Sequence, residues 1–363
     1  MKKLSVGLIG LGNVSEVHLE AYKQVKQIEV IAGAEINKGR LDYMVKKWGF
    51  KGYLDYEEML EQEDLDIACV LVPARDHREI TEKIAKSKIN VFCEKPIAIK
   101  IEDAKNMIDI CKFEGVKLCY GASYRWLPAC IKAKKLIQQN KLGKIDLLME
   151  TSIGGGGLEN FQDAGEHHYP IGGPGGGMMG LVDHGIHLID MFIWLMDSDA
   201  EYVIGRGNIS GQTPLTEFLT ILFENGAIGQ LVYNEATYSS NLPYEGIFSW
   251  GGSWDFKGNL SLKGKWEAHP GNIRIHGEKG ALRIFYYANK LFFFSDNKQQ
   301  PIRVKNRPMP GNFAMQMESF ANAVIYNKAP EVTGLDGLKA LKILHAAYES
   351  YQTKKMVKVK IDI

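Results

Sequence analysis

The sequence predicts an α/β chain of two domains: a doubly wound parallel sheet over residues 1–122, then a second α/β domain over 123–363 whose sheet is mostly antiparallel. Three observations carry this. Apolar strands and helix-period segments alternate through the first 120 residues, the pattern of a parallel sheet covered on both faces. The first strand runs into Gly10-Leu11-Gly12 and then a helix. After Ser198, strands follow one another directly, joined by hairpin-like turns at Asn225-Gly226 and Glu278-Lys279-Gly280.

At 363 residues the chain is long enough for two sizeable cores. Its 45% hydrophobic and 24% charged residues are ordinary for a globular protein. A net charge of +1 gives no basic footprint for nucleic acid or an anionic membrane. The five cysteines, Cys69, Cys93, Cys111, Cys119 and Cys130, form no C-x-x-C pair and are odd in number. That is the usage of reduced, buried thiols, and it points to the cytoplasm. Met1-Lys2-Lys3 imitates a signal peptide, but glycines and Glu16 interrupt the apolar stretch, which reads as a first strand. No apolar run reaches the roughly 18 residues a membrane span needs.

In the first half the expected strands are Leu4–Ile9, Val30–Ala34, Ile67–Val72, Asn90–Cys93 and Lys117–Tyr120. Helical pattern lies between them at His18–Lys26, Arg40–Trp48, Tyr56–Gln62, Asp76–Lys86 and Ile101–Glu114. A strand that feeds a helix through a glycine turn leaves the helix's first amides unpaired, with the positive end of the dipole behind them. Gly10 permits the tight turn, Gly12 lets a pyrophosphate approach the backbone, and Ser15 stands where the fingerprint has a third small residue. The acid expected about 20 residues further on is Glu35, placed to accept from ribose hydroxyls. Its charge favours NAD over NADP, although Lys38 and Arg40 are near enough to take a 2′-phosphate.

Ligands of such sheets bind outside the carboxyl ends of the strands. Three ends stand out: Pro73-Ala74-Arg75-Asp76-His77, Glu94-Lys95-Pro96, and Gly121 to Pro128. Lys95 sits one residue past a buried strand, with Pro96 fixing the turn, which directs it toward the crevice.

Beyond Pro128 the pattern is a helix over Ala129–Asn140, an alternating strand over Ile145–Ser152, and a glycine-rich stretch from Gly154 to Gly177 carrying His167 and His168. Gly175-Gly176-Gly177 then leads to Asp183-His184-Gly185-Ile186-His187 and an apolar helix. The later strands are expected at Glu201–Gly205, Glu217–Phe223, Ile228–Asn234, Gly246–Trp250, Ile273–His276, Ala281–Tyr287 and Lys290–Phe294. Two helices, Phe313–Tyr326 and Leu335–Tyr351, precede a last strand, Met356–Ile361.

These residues resemble the glucose-fructose oxidoreductase/inositol dehydrogenase family of nicotinamide-dependent sugar dehydrogenases almost end to end. The resemblance rests on Gly10-x-Gly12 with Glu35, Pro73 with His77, Glu94-Lys95-Pro96, Tyr124-Arg125-Trp126-x-Pro128, and Gly175-Gly176-Gly177 leading to Asp183-x-x-x-His187. It implies a dinucleotide-binding domain followed by an open, mostly antiparallel sheet whose outer face builds dimers or tetramers. It implies hydride transfer between a nicotinamide and a hydroxyl or keto carbon of a sugar, nucleotide-sugar or cyclitol. The alternative is a glycoside hydrolase that retains NAD and acts by transient oxidation.

The expected cofactor contacts are Gly10, Gly12, Asn13, Val14, Glu35 and Arg40 at the first turn, and Pro73, His77, Glu94, Lys95 and Arg125 along the crevice. Residues four apart on a helix share a face, so Asp183 and His187 reach one substrate. Histidine, with an ordinary pKa near ~6.5, suits the task of taking the hydroxyl proton. His187 is therefore the expected general base, Lys95 the group that stabilises developing negative charge, and Asp183 the orienting acid. Arg125 reads either as a ligand for a substrate anion or as half of a salt bridge. His167 and His168 lie in a loop that contacts the sugar in the family. His184, His187, His167 and His168 also suggest zinc, but the resemblance implies no metal.

Overall fold

Strand β1, Leu4–Ile9, is buried at its carboxyl half and ends at Gly10, whose φ of +89° only glycine adopts without strain. The chain therefore turns at once into helix α1, Asn13–Tyr22, five residues earlier than the helical periodicity begins. Asn13, Val14 and Ser15 are poor helix formers; the turn winds them into the helix, with the Ser15 amide donating to the Gly12 carbonyl at 3.2 Å.

The computed structural model describes residues 3–154, 181–210, 213–234, 247–248, 272–296, 298–305 and 310–360. Two compact units emerge: Met1–Ser123 with Met309–Leu341, and Tyr124–Pro308 with Lys342–Ile363.

In the first unit the order continues through β2 (Ile28–Ala34), α2 (Lys38–Trp48), β3 (Lys51–Tyr53), α3 (Tyr56–Gln62), β4 (Ile67–Val70), α4 (His77–Lys86), β5 (Asn90–Cys93), α5 (Ile101–Glu114) and β6 (Leu118–Tyr120). The six strands form one parallel sheet in the order β3-β2-β1-β4-β5-β6. Connections reverse direction between β1 and β4, which opens the crevice at their carboxyl ends. Helix limits follow local chemistry. Asn37 caps α2 by accepting the Arg40 amide at 3.0 Å, and Gly49 ends the same helix at φ +80°. On α4 the buried residues His77, Ile80, Thr81, Ile84 and Ala85 recur at helical spacing, so one face packs on the sheet. The edge strand β3 escaped the sequence reading because three residues are too few for alternation to register. The late helix Gly311–Ile325 belongs to this unit, where Phe313, Met317, Phe320 and Ala321 join the core around Leu8, Ile67 and Phe92.

In the second unit, α6 (Pro128–Gln138) and β7 (Ile145–Gly154) precede a π-helical turn, Leu181–Gly185, and α7, Ile186–Met196. Strands β8 (Ala200–Ser210), β9 (Thr213–Phe223), β10 (Ile228–Asn234), β11 (Ile247–Phe248), β12 (Asn272–Gly277), β13 (Gly280–Phe285), β14 (Lys290–Ser295) and β15 (Lys298–Ile302) follow. With α8 being the late helix above, α9 (Gly334–Thr353) and β16 (Val357–Lys358) complete the chain. The sheet order is β15-β14-β13-β12-β7-β10-β9-β8-β16, with β11 beside β7. Pairing is antiparallel except where β7 meets β10 and β11. The hairpin expected at Asn225-Gly226 joins β9 and β10, with Gly226 at φ +86°. Alternation sends Leu148, Leu219, Ile221, Leu231, Ile273 and Ile275 to one buried face, each worth about 2 kcal/mol of apolar burial. Helix α7 lies close to that face: a Cβ added at Gly229 would stand 2.9 Å from the Phe192 ring.

Candidate active site

Four strand ends of the first unit shape a cavity of about 420 Å³ lined by Gly10, Gly12, Glu35, Tyr56, Val72 and Pro73, among others. That volume lies in the range of small-molecule sites. A side chain at Gly10 would collide with Val72 Cγ1 at 2.8 Å and the Leu71 carbonyl at 2.9 Å, whereas one at Gly12 would meet nothing within 4 Å. Gly10 is thus required by the fold and Gly12 by access to the backbone. Glu35 closes β2: its Oε2 accepts the Leu11 amide at 2.9 Å and its Oε1 accepts the Asn37 amide at 3.0 Å. A carboxylate has about four acceptor positions, so two remain for ribose hydroxyls. The residues fit a dinucleotide: open backbone at a helix start for the pyrophosphate, a fixed acid for the ribose, and an apolar wall at Ile36 and Leu54. Asn13 and Val14 begin α1 beside this turn.

Arg40 has a different role from the phosphate ligand considered above. Its Nε donates to the Leu11 carbonyl at 2.6 Å and its Nη2 to Glu16 at 2.8 Å and the Gly12 carbonyl at 3.2 Å. It braces the glycine turn from behind. Burial pushes the Glu16 carboxyl up, but Lys47 and Arg40 together hold it below its ordinary value. Lys38 is exposed and paired with Asp42.

At the end of β5, Glu94 is buried and doubly bonded. His18 Nε2 lies 2.8 Å from its Oε1, and the Lys95 amide donates to its Oε2 at 2.9 Å. His18 Nδ1 in turn meets the Tyr22 hydroxyl at 2.9 Å, and the imidazole is walled by Phe92 and Phe313. Burial pushes the Glu94 carboxyl up, yet the His18 bond and the Lys95 amide outweigh it and hold the group below its ordinary value. Lys95, whose bond to Pro96 is cis, therefore leaves the strand from an anchored position. His18 was missed by sequence reasoning; the signal was a histidine–tyrosine pair four apart on the face of α1 turned to the sheet.

His77, expected in the loop beside the nicotinamide, turns its side chain inward. The ring is fully buried, with Nε2 2.8 Å from the Val72 carbonyl and Nδ1 3.1 Å from the Ile97 carbonyl. Burial lowers its pKa more than these carbonyls restore it. It ties the loop that presents Pro73 to the cavity.

The second unit holds Asp183 and His187. Asp183 falls in the π-helical turn rather than in the regular helix that begins at Ile186. The i→i+5 winding there replaces the regular α-helical spacing expected from Asp183 to His187; the Asp183 side chain lies outside the described residues. His187 is half-buried and stacked on Tyr124, ring centroids 4.1 Å apart and planes 4° apart. His184 is buried between hydroxyls, with Nδ1 3.4 Å from Tyr124 and Nε2 3.4 Å from Tyr286.

Of the two readings of Arg125, the structure shows a salt bridge: its fork closes on Asp190 of α7, Nε to Oδ2 at 2.7 Å and Nη2 to Oδ1 at 2.6 Å, both side chains buried. It anchors the helix that carries His187. His167 and His168 lie outside the described residues, as do most of the glycine-rich stretch and most of the 238–270 segment.

The model of the oxidoreductase family with an NAD-binding Rossmann fold matches residues 4–122, and that of the family's C-terminal alpha/beta domain matches residues 134–361. Myo-inositol 2-dehydrogenase of Thermotoga maritima is 25% identical over 365 residues, covering 98% of each chain. An oxidoreductase from Agrobacterium radiobacter, solved with NAD+, L-tartaric acid and magnesium, has the same fold, with a TM-score of 0.80, 19% identity and 99% of each chain covered. The WlbA dehydrogenase from Bordetella pertussis, solved with NADH and UDP-GlcNAcA, matches at a TM-score of 0.77 and 22% identity over 99% of this chain and 100% of that one. With a glycine turn and acid built for a dinucleotide, and both halves matched, the chain belongs to the oxidoreductase family with an NAD-binding Rossmann fold and a C-terminal alpha/beta domain, and it is an NAD(P)-dependent oxidoreductase.

Proposed function

We propose that this chain is a dehydrogenase of a sugar, nucleotide-sugar or cyclitol hydroxyl, with His187 as general base, Lys95 as its electrostatic partner and Asp183 as the orienting acid. The observation that carries the reading is the position of Lys95. The strand ends that shape the nucleotide cavity and the strand end that presents Lys95 leave one parallel sheet at one edge. The relative named for myo-inositol oxidation supports a cyclic polyol as the substrate class.

When bound, the nicotinamide supplies the hydride acceptor. Everything else falls to the chain. His187 takes the hydroxyl proton at an imidazole nitrogen, its plane fixed by the Tyr124 ring. The ammonium of Lys95 stabilises the substrate oxygen as negative charge develops on it. Glu94, held by His18, fixes the backbone from which Lys95 projects. Asp183 holds a neighbouring substrate hydroxyl, and His167 or His168 adds a contact to the sugar. NAD is preferred, because Glu35 repels a 2′-phosphate while Arg40 and Lys38 are already engaged. The relatives named above are dehydrogenases and an oxidoreductase, which supports this reading over a glycoside hydrolase.

The protein works in the cytoplasm as a homodimer or homotetramer. Five free, buried thiols support the location. The outer face of the second sheet, with Leu147, Met149, Phe218, Leu222 and Val232 only half-buried, supports the assembly. Absorbance at the reduced-nicotinamide band, with NAD and NADP offered separately against a panel of sugars, cyclitols and nucleotide-sugars, tests the activity. Reduction of cofactor that is lost in Lys95→Ala and in His187→Ala is expected. A panel without any reduction, or either variant with full activity, would refute the assignment.

A further inference from the structure

Alternation places two acids on the buried face of the second sheet, where the neighbouring positions are apolar. Glu150 of β7 lies in register between Leu231 of β10 and Ile273 of β12. Glu217 of β9 is 2% exposed and Glu150 1%. A buried carboxyl without a task is a liability of several kcal/mol, and each of these reaches the segment that precedes His187. Glu217 Oε2 accepts the Leu181 amide at 2.9 Å, where the π-helical turn begins. Glu150 Oε1 accepts from the Tyr286 hydroxyl at 2.6 Å, and that hydroxyl lies 3.4 Å from His184 Nε2. His184 Nδ1 lies 3.4 Å from the Tyr124 hydroxyl, which also bonds the Tyr287 hydroxyl. The Tyr124 ring is the one stacked on His187.

We propose that Glu150 is a positioning residue for the general base: through Tyr286, His184 and Tyr124 it sets the attitude and basicity of the His187 imidazole. The proposal rests on the reading of His187 as the base. With Glu150 ionised, each group donates toward the carboxylate: Tyr124 to His184 Nδ1, His184 Nε2–H to Tyr286, Tyr286 to Glu150. With Glu150 protonated, the chain can run the other way, from Glu150 out to Tyr124 and Tyr287. The two directions differ by one proton at the buried end, and the ring against His187 sits at the other. Among the described residues, the other groups beside this chain are Tyr233, whose ring lies 5.3 Å from that of His184, and Glu217, which accepts the Leu181 amide. Oε2 of Glu150 has no hydrogen-bond partner among the described residues, so Tyr286 is the one donor there that holds its charge; the proton that reverses the chain sits on Oε1, facing Tyr286. Burial supports this, pushing the Glu150 carboxyl up to about 8 against the pull of the Tyr286 bond.

The test compares the pH dependence of kcat for the wild type, Glu150→Gln and Tyr286→Phe from pH 6 to 9.5. Glutamine still accepts from Tyr286 but cannot ionise, so a merely structural role would leave its profile like that of the wild type. A rise in wild-type kcat of up to about tenfold between pH 7 and 9 is expected, absent in both variants, with KM for NAD within twofold. A Glu150→Gln profile that rises with the wild type's refutes the proposal. Titration of the ring resonances in protein labelled with 15N-histidine gives a readout without substrate. The His187 titration in the wild type should shift on Glu150→Gln and on Tyr286→Phe, and an unmoved titration also overturns the proposal. If the wild type oxidises nothing in the panel while the His187 titration still responds to Glu150→Gln, it is the functional reading that fails.

Discussion

Replacing Asp190 by asparagine removes the carboxylate that meets the buried Arg125 guanidinium at two points. The pair is bidentate, at 2.6 and 2.7 Å, with Arg125 6% and Asp190 2% exposed. Removing one partner of such a pair costs about 3–5 kcal/mol, because the other charge stays in a low-dielectric setting. Replacing both by apolar residues of similar size is near neutral by the same reasoning. Urea denaturation followed by circular dichroism should therefore show Asp190→Asn destabilised by about 3–5 kcal/mol, with a melting temperature lower by roughly 10 °C for a unit of this size. The Arg125→Met/Asp190→Leu double variant should recover most of that loss and keep its KM for substrate within about threefold. Asp190→Asn costing under about 1 kcal/mol, the range of exposed pairs, would refute the buried-pair reasoning. A double variant of normal stability whose KM rose tenfold would return Arg125 to the substrate.

Three further outcomes follow from the geometry. Gly10→Ala should unfold or severely weaken the first unit, since both the φ of +89° and the Leu71 carbonyl 2.9 Å away forbid a Cβ; Gly12→Ala should melt normally yet lose NAD affinity by calorimetry, and normal binding there would contradict the assigned phosphate approach. His18→Leu strands Glu94, with an expected loss of about 3 kcal/mol. Because Glu94 is held below its ordinary 4.5 in the fold, its stabilisation is complete above that value and fades as pH falls through the lowered one; the wild-type advantage over His18→Leu in urea should shrink on acidification, and a constant gap would count against the pairing. Glu150 has the opposite sign. Raised from 4.5 to about 8, it binds a proton in the fold that the unfolded chain has released, so stability falls as pH rises across that window, by up to about 5 kcal/mol at 1.36 kcal/mol per pH unit. Glu150→Gln should remove most of this alkaline loss between pH 5 and 9, and an unchanged urea midpoint difference would contradict it.

The parts of the site written locally in the chain were legible. Gly10, Gly12 and Glu35 sit on strand ends, where a short apolar run and a glycine turn suffice to locate them, and Lys95 follows a buried strand in the same way. What supports them was not legible. His18 and Glu94 are 76 residues apart, and Glu150 and Tyr286 are 136 apart. Periodicity reports which face a residue occupies, never which residue from another element meets it. Arg125 illustrates the limit: its position at the junction allowed either an anion ligand or a salt bridge, and only the fold shows that Asp190 of α7 meets the guanidinium. The spacing from Asp183 to His187 was read as α-helical because nothing in Leu181–Gly185 signals the wider turn.

The two units use one device in opposite states. In each, a buried carboxyl stands behind a group assigned to catalysis: Glu94 behind Lys95, and Glu150 behind His184 and the ring that holds His187. Burial raises both pKa values; the donors decide the outcome. Glu94 receives His18 and the Lys95 amide, enough to overcome desolvation and keep the carboxyl below its ordinary value. Among the described residues Glu150 receives only the Tyr286 hydroxyl, and burial pushes it up to about 8. A carboxylate with a donor on each oxygen is a fixed strut, suited to a lysine proposed to keep its charge throughout turnover. One with a donor on a single oxygen is raised toward neutrality, and it sits behind the histidine that we propose gains and loses a proton.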